Sequence, residues 1–102
     1  MTIPTQLVLE ALLDDPGAER YGLEIGEAAG LRSGTVHPIL ARLEAYGWLA
    51  SRWEDIDASA EGRPARRYYK LTADGVQAAQ VALARAYRPS PARQLRPQPG
   101  QA

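Results

Sequence analysis

Two stretches carry the residues able to do chemistry. Ser33, Gly34, Thr35, His37, Pro38 and Arg42 fall within ten consecutive positions, and Arg63, Arg66 and Arg67 fall within five. Hydroxyls, an imidazole and guanidinium groups are hydrogen-bond donors, and such a set suits anionic oxygens and base edges better than bond breaking. Catalysis needs a positioned base with a nucleophile, or a metal. His37 is the only histidine and the chain has no cysteine, which excludes a multi-histidine metal centre, a thiolate site and a disulfide framework. The adjacent acids Asp14 and Asp15 belong to a turn signal, Asp14-Asp15-Pro16-Gly17. No catalytic residue, metal or cofactor is expected. Such a donor set fits recognition of a polyanion.

The elements that must position these groups are legible in outline. With 102 residues the chain suits one compact domain. No apolar run is long enough to span a bilayer, and Met1-Thr2-Ile3-Pro4 lacks the basic and apolar blocks of a secretory leader; a cytoplasmic protein is expected. A first helix runs from Thr5, as N-cap, to Leu13, with Leu7, Val8, Leu9, Ala11, Leu12 and Leu13 around most of its circumference. That excess predicts burial on two sides, one against the domain's own core and one against a second copy. A second helix covers Gly22 to Ala29, with Leu23, Ile25 and Ala28 inward and Gly30 as its C-terminal cap. After the turn at Leu31-Arg32, Ser33 offers a capping oxygen to a third helix that runs to about Tyr46. Val36, Ile39 or Leu40, and Leu43 form its inner stripe, and Gly47 ends it.

Two helices joined by a short glycine-containing turn are a helix-turn-helix pattern. Trp48–Trp53 and Arg66–Leu71 then read as strands around a polar loop, Glu54 to Pro64, which makes a hairpin with a basic tip. On the second strand Tyr69 and Leu71 occupy one face, Tyr68 and Lys70 the other. Trp48 and Trp53 are expected in the core or at a subunit interface. Thr72 caps a fourth, alanine-rich helix that extends to about Tyr87, with Val76, Leu83 and Tyr87 as its apolar stripe. The predicted fold is mainly α with a small β-hairpin: a winged helix-turn-helix with a three-helix core, a two-stranded wing and a C-terminal helix over residues 1–87, followed by a disordered tail over 88–102.

Formal charge is balanced at 12 acids and 12 bases, yet its distribution is uneven. Residues 1–30 hold six acids against Arg20, whereas residues 61–102 hold eight bases against Glu61 and Asp74. Local potential rather than total charge decides where phosphates bind. The start of the third helix, Ser33 to His37, fits a major groove, where short polar side chains meet base edges and helical amides favour a phosphate. Ser33 is expected to cap and Thr35 to touch DNA, with Gly34 allowing close approach and Arg42 beside the backbone. Arg63, Arg66 and Arg67 would reach phosphates or a narrow minor groove from the wing.

In Tyr21-Gly22-Leu23-Glu24-Ile25, in Ser33 through Glu44, and in Gly62-Arg63-Pro64-Ala65-Arg66-Arg67-Tyr68-Tyr69-Lys70-Leu71-Thr72 with Gly75, the chain resembles the PadR family of winged-helix transcriptional regulators. The likeness covers roughly Thr5 to Ala79. It implies a DNA-binding regulator, most simply a repressor, that pairs into a homodimer on a palindromic operator and in some relatives takes a flat aromatic inducer. This chain departs from the family in placing His37 where a tyrosine is usual and in having one modest C-terminal helix. Leu7, Leu9 and Leu13 of the first helix with Val76, Leu83 and Tyr87 of the last are the expected dimer face. The competing reading is a winged-helix adaptor for protein contact, with residues 89–102 as a docking peptide; a regulator of the related MarR type is a third. Steep salt dependence of DNA binding separates the first reading from the adaptor.

Overall fold

The structure, a computed structural model, describes residues 1–87. The tail from Arg88 to Ala102, expected to be disordered, lies outside the described residues. Eight elements follow in order: α1 (Ile3–Leu13), β1 (Arg20–Tyr21), α2 (Gly22–Ala29), α3 (Ser33–Ala45), β2 (Leu49–Trp53), α4 (Ala58–Glu61), β3 (Arg67–Leu71) and α5 (Ala73–Tyr87). The winged helix-turn-helix expected from the sequence is present. No helix among the described residues is long and apolar enough to cross a membrane.

The core forms where the apolar stripes of α1, α2, α3 and α5 meet one face of the sheet. Val8, Leu9, Ile25, Val36 and Leu40 are the largest wholly buried side chains, joined by Leu12, Ile39, Leu43, Leu49, Tyr69, Leu71, Ala79 and Leu83. Full burial of an aliphatic side chain contributes about 1.5–3 kcal/mol, so this cluster sets how α3 is held. Both Ile39 and Leu40 are inside.

Several boundaries differ from those expected. Thr2, not Thr5, caps α1: its hydroxyl accepts from the Thr5 amide, and Pro4 falls in the first turn, where a missing N–H costs nothing. On α2, Leu23 is exposed and Ala28 faces solvent; Gly22, Ile25 and Gly26 form the inner face. The short helix can sit so close because glycines, not larger residues, meet α3 and the following turn. Gly30 ends α2 with φ 72°.

The sheet has three strands, ordered β1-β3-β2, rather than the two of a simple hairpin. Arg20 and Tyr21 of β1 pair antiparallel with Tyr69 and Tyr68 of β3, and Leu49 to Trp53 of β2 pair with Leu71 to Arg67. A two-residue strand shows no alternation from which to read it. Tyr69 and Leu71 point into the core, and Lys70 is exposed. Inside the loop, Asp57 caps the unexpected one-turn helix α4 by accepting from the Ser59 and Ala60 amides.

The wing is joined to α5 by a close backbone approach. The Thr72 hydroxyl accepts from the Gly75 amide at 2.9 Å and donates to the Gly47 carbonyl at 2.8 Å. A Cβ at Gly75 would collide with the Trp48 carbonyl, so only glycine lets the first turn of α5 rest there.

Candidate nucleic-acid interface

α3 presents an outward face of small polar groups. Val36, Ile39, Leu40 and Leu43 anchor the helix, which leaves Ser33, Gly34, Thr35, His37, Pro38, Ala41 and Arg42 exposed on the opposite side. Ser33 makes no capping bond. Arg32 is the N-cap, and its carbonyl accepts from the Thr35 and Val36 amides. The Ser33 hydroxyl expected to cap is therefore free for another partner. Among the described residues, no hydrogen bond or ion pair engages the side chains of Ser33, Thr35, His37 or Arg42.

Pro38 has more effect than its place in the sequence suggests. It lies in the second turn of α3, where its nitrogen would ordinarily donate to the Gly34 carbonyl. A residue with no side chain sits where the proline ring crowds the turn below.

His37 is seated on the start of α2. A Cβ at Gly22 would stand 2.8 Å from His37 Cε1 and 3.5 Å from both ring nitrogens. The imidazole thus lies beside the first residue of α2, a helix whose N-terminus is already capped by Glu24, which accepts from the Tyr21 amide at 3.2 Å. This seat was not legible beforehand; Gly22 read as a helix start.

The wing is organised differently, around a carboxylate that sequence reasoning missed. Glu54 accepts from Arg63 Nη1 at 2.7 Å and Nη2 at 3.1 Å, from the Arg66 amide at 3.3 Å and from the Tyr68 hydroxyl at 3.3 Å. Its own amide donates to the Arg66 carbonyl at 2.7 Å. The hydrogen bond from Arg63 dominates and lowers the Glu54 carboxyl to about 2; desolvation opposes the shift, while the Arg66 amide, the Arg63 charge and the Tyr68 hydroxyl add to it. The Arg63 guanidinium is raised in turn by its bond to Glu54. Arg63 was expected to reach phosphate. Its fork is instead closed on Glu54 within the wing, and the two-pronged geometry explains why arginine serves there.

Arg66 and Arg67 lie on opposite faces of the hairpin. The Arg66 guanidinium stacks 4.4 Å from the Tyr21 ring centre, and Tyr21 meets Tyr68 edge to face at 5.9 Å. Arg67 donates to the Ser51 hydroxyl at 3.1 Å, stands 3.6 Å from a Glu44 carboxylate oxygen and lies 5.3 Å from the Trp53 ring centre. Through Glu44 it ties the wing to the end of α3. Both groups stay partly exposed, so their outer N–H groups can still meet phosphates. Trp53, expected in the core or at an interface, is 61% exposed beside Arg67, because β2 runs past the edge of the core at that point.

The expected dimer residues divide. Leu9 and Leu83 are engaged in the protomer's own core and cannot supply an interface; Leu13 and Val76 pack partly against that core. Leu7 is half-buried, and Tyr87 is 63% exposed. On α1, most of the apolar circumference is thus consumed by contacts with α2, α3 and α5.

Comparison with known proteins agrees with this architecture. The model of the transcriptional regulator PadR-like family matches residues 8–81. Among solved structures, the PcaV transcriptional regulator from Streptomyces coelicolor, in complex with its natural ligand, is 27% identical with a TM-score of 0.62, over 83% of this chain and 57% of that one. The chain therefore spans little more than half of that relative's length. A PadR family transcriptional regulator from Eggerthella lenta is 25% identical with a TM-score of 0.63, covering 80% of this chain and 72% of its own. A PadR family transcription regulator from Clostridium difficile, 22% identical with a TM-score of 0.64 over 82% of this chain and 86% of its own, shares the fold. No curated protein matches in sequence.

Proposed function

Because the chain belongs to the transcriptional regulator PadR-like family, whose members regulate transcription and are not enzymes, we propose that it is a cytoplasmic repressor that binds a palindromic operator in double-stranded DNA as a homodimer. The observation that carries this reading is the outward face of α3. Its donors Ser33, Thr35, His37 and Arg42 are exposed and without partners among the described residues, as a helix that enters a major groove requires.

In this reading the first turns of α3 enter the major groove, and Thr35 and Ser33 meet base edges. His37, exposed beside the start of α2, donates to a backbone phosphate. Arg66 and Arg67 follow the flanking strand from the wing, and Arg42 meets the backbone further along α3. Arg63 acts through Glu54 by shaping the hairpin. One copy reads only a short half-site; two copies related by a twofold axis read both halves of a palindrome.

A small aromatic effector is the other partner. A groove of about 210 Å³ lies between α1 and α3, with Met1, Thr2, Ile39, Arg42, Tyr46 and Trp48 among its lining residues. Tyr46 and Trp48 pack there at 5.8 Å between ring centres. A ligand that engages Arg42 in this groove would withdraw it from DNA. PcaV, also a transcriptional regulator, was captured with its natural ligand.

Selection of bound sequences from a random duplex pool tests the central reading. A twofold-symmetric consensus, bound less tightly as salt rises, is the expected result. Failure to enrich any sequence at low ionic strength overturns sequence-specific binding and leaves the adaptor.

A further inference from the structure

Glu44 stands about two turns beyond His37 on the same line of α3, at the edge of the outward face that borders the wing. A carboxylate is an unexpected group there, because the phosphates that α3 would approach repel it. Its Oε2 accepts from the Ser51 hydroxyl, and Arg67 Nη2 lies 3.6 Å from the same oxygen. The Ser51 hydroxyl in turn accepts from Arg67 Nε at 3.1 Å, and the Trp53 ring centre is 5.3 Å from the guanidinium carbon. Arg67 is thus held by three neighbours, yet among the described residues neither of its Nη groups makes a hydrogen bond. Both Glu44 and Arg67 keep more than a third of their side-chain surface exposed.

The side of the hairpin decides what this pair meets. Ser51 pairs with Tyr69 and Trp53 with Arg67, so all four share the sheet face that turns toward the core and α3. With α3 in the major groove and the hairpin at the adjoining minor groove, the strand that separates the two grooves runs along this face. A phosphate that reaches the free Nη edge of Arg67 must therefore come close to Glu44 as well. We propose that Glu44 is a positioning residue that sets sequence discrimination. It aims Arg67 at the phosphate that α3, once seated, brings into line, and it repels phosphates that approach out of line.

The two kinds of binding feel Glu44 differently. Non-specific binding is a sum of phosphate attractions, so the repulsion acts on it in full. On the operator, a planar fork whose orientation is already set loses less freedom when it closes on phosphate, and that gain offsets the repulsion. This inference rests on the operator-binding reading above and adds to it a residue that touches no base.

Glu44→Gln removes the charge and keeps an oxygen for the Ser51 hydroxyl. Binding of the full chain is measured by fluorescence anisotropy on two duplexes, the consensus from the duplex selection and a scrambled one of equal composition. The scrambled duplex should bind Glu44→Gln about threefold more tightly at low salt. The consensus duplex should gain nothing, so the ratio of the two affinities falls by about the same factor. The Arg67→Ala chain supplies the control that a role in folding alone would not pass. There the ratio should no longer respond to Glu44→Gln, because the effect on the operator passes through Arg67. Equal tightening on both duplexes makes Glu44 a general repulsive charge and overturns the inference. Equal weakening makes it a support of the wing and overturns it too, as does a change in ratio that persists in the Arg67→Ala chain. Each of these outcomes leaves operator binding standing. A chain for which the selection enriches no duplex overturns that reading and this inference together.

Discussion

The α3 face and the wing carry the same kinds of donor, yet they are held in opposite ways. α3 is fixed from beneath by apolar burial, and its displayed Ser33, Thr35, His37 and Arg42 have no hydrogen-bond or ion-pair partner among the described residues. The wing extends beyond the core and is fixed by polar side chains: Glu54 gathers Arg63, the Arg66 amide and Tyr68, while Arg67 bonds Ser51. Basic residues close together in a sequence are therefore not equivalent donors. Burial positions a group and leaves its hydrogen bonds open, whereas polar anchoring consumes some of them.

The contrast breaks most visibly from the core side. Leu40→Ala removes a wholly buried side chain beneath α3 and should cost about 2–5 kcal/mol in urea unfolding, with DNA affinity falling as α3 loosens. Gly22→Ala keeps the core intact but puts a methyl group against His37. It should cost about 1–3 kcal/mol of stability or drive the imidazole off the α2 N-terminus, which the shift of its NMR ring resonances would show. Thr35→Ala should leave stability nearly unchanged and relax base preference at one operator position, by about 1–3 kcal/mol of discrimination if Thr35 reads that base.

Glu54→Gln sharpens the comparison because two physical accounts give opposite signs. Removing a negative charge near DNA should tighten binding on electrostatics alone. If Glu54 holds the wing, binding weakens instead, and the salt slope flattens as Arg66 and Arg67 lose register. A titration by fluorescence anisotropy at several salt concentrations decides between them.

The smallest effect is acid sensitivity. Glu54 is lowered from an ordinary 4.5 to about 2, so its contribution to stability is present above its unfolded value and is lost as pH falls through the interval toward its folded one. The parent should lose stability across that range more steeply than Glu54→Gln, in denaturant melts at stepped pH.

Much of this was legible beforehand. Val36, Ile39 or Leu40, and Leu43 recur at helical spacing, and the residues of β3 alternate, so α3 and β3 followed from periodicity; which face of β3 packs, and that Ile39 and Leu40 are both inside, the fold decided. Thr72 as the cap of α5 followed from its type and place. Less followed for short or paired features. β1 has two residues and exists only because β3 lies alongside. Ser33 looked like a cap, but a cap depends on where the chain bends, and it bends at Arg32.

The sequence by itself determined the winged helix-turn-helix and the polar start of α3. These are local properties: side-chain period and turn chemistry. Only the tertiary structure decided that Arg63 closes on Glu54, that His37 rests over Gly22, and that Leu9 and Leu83 belong to the protomer's own core. Each of those depends on which segments meet in space, and the distance between two residues along a chain does not fix the distance between them in the fold.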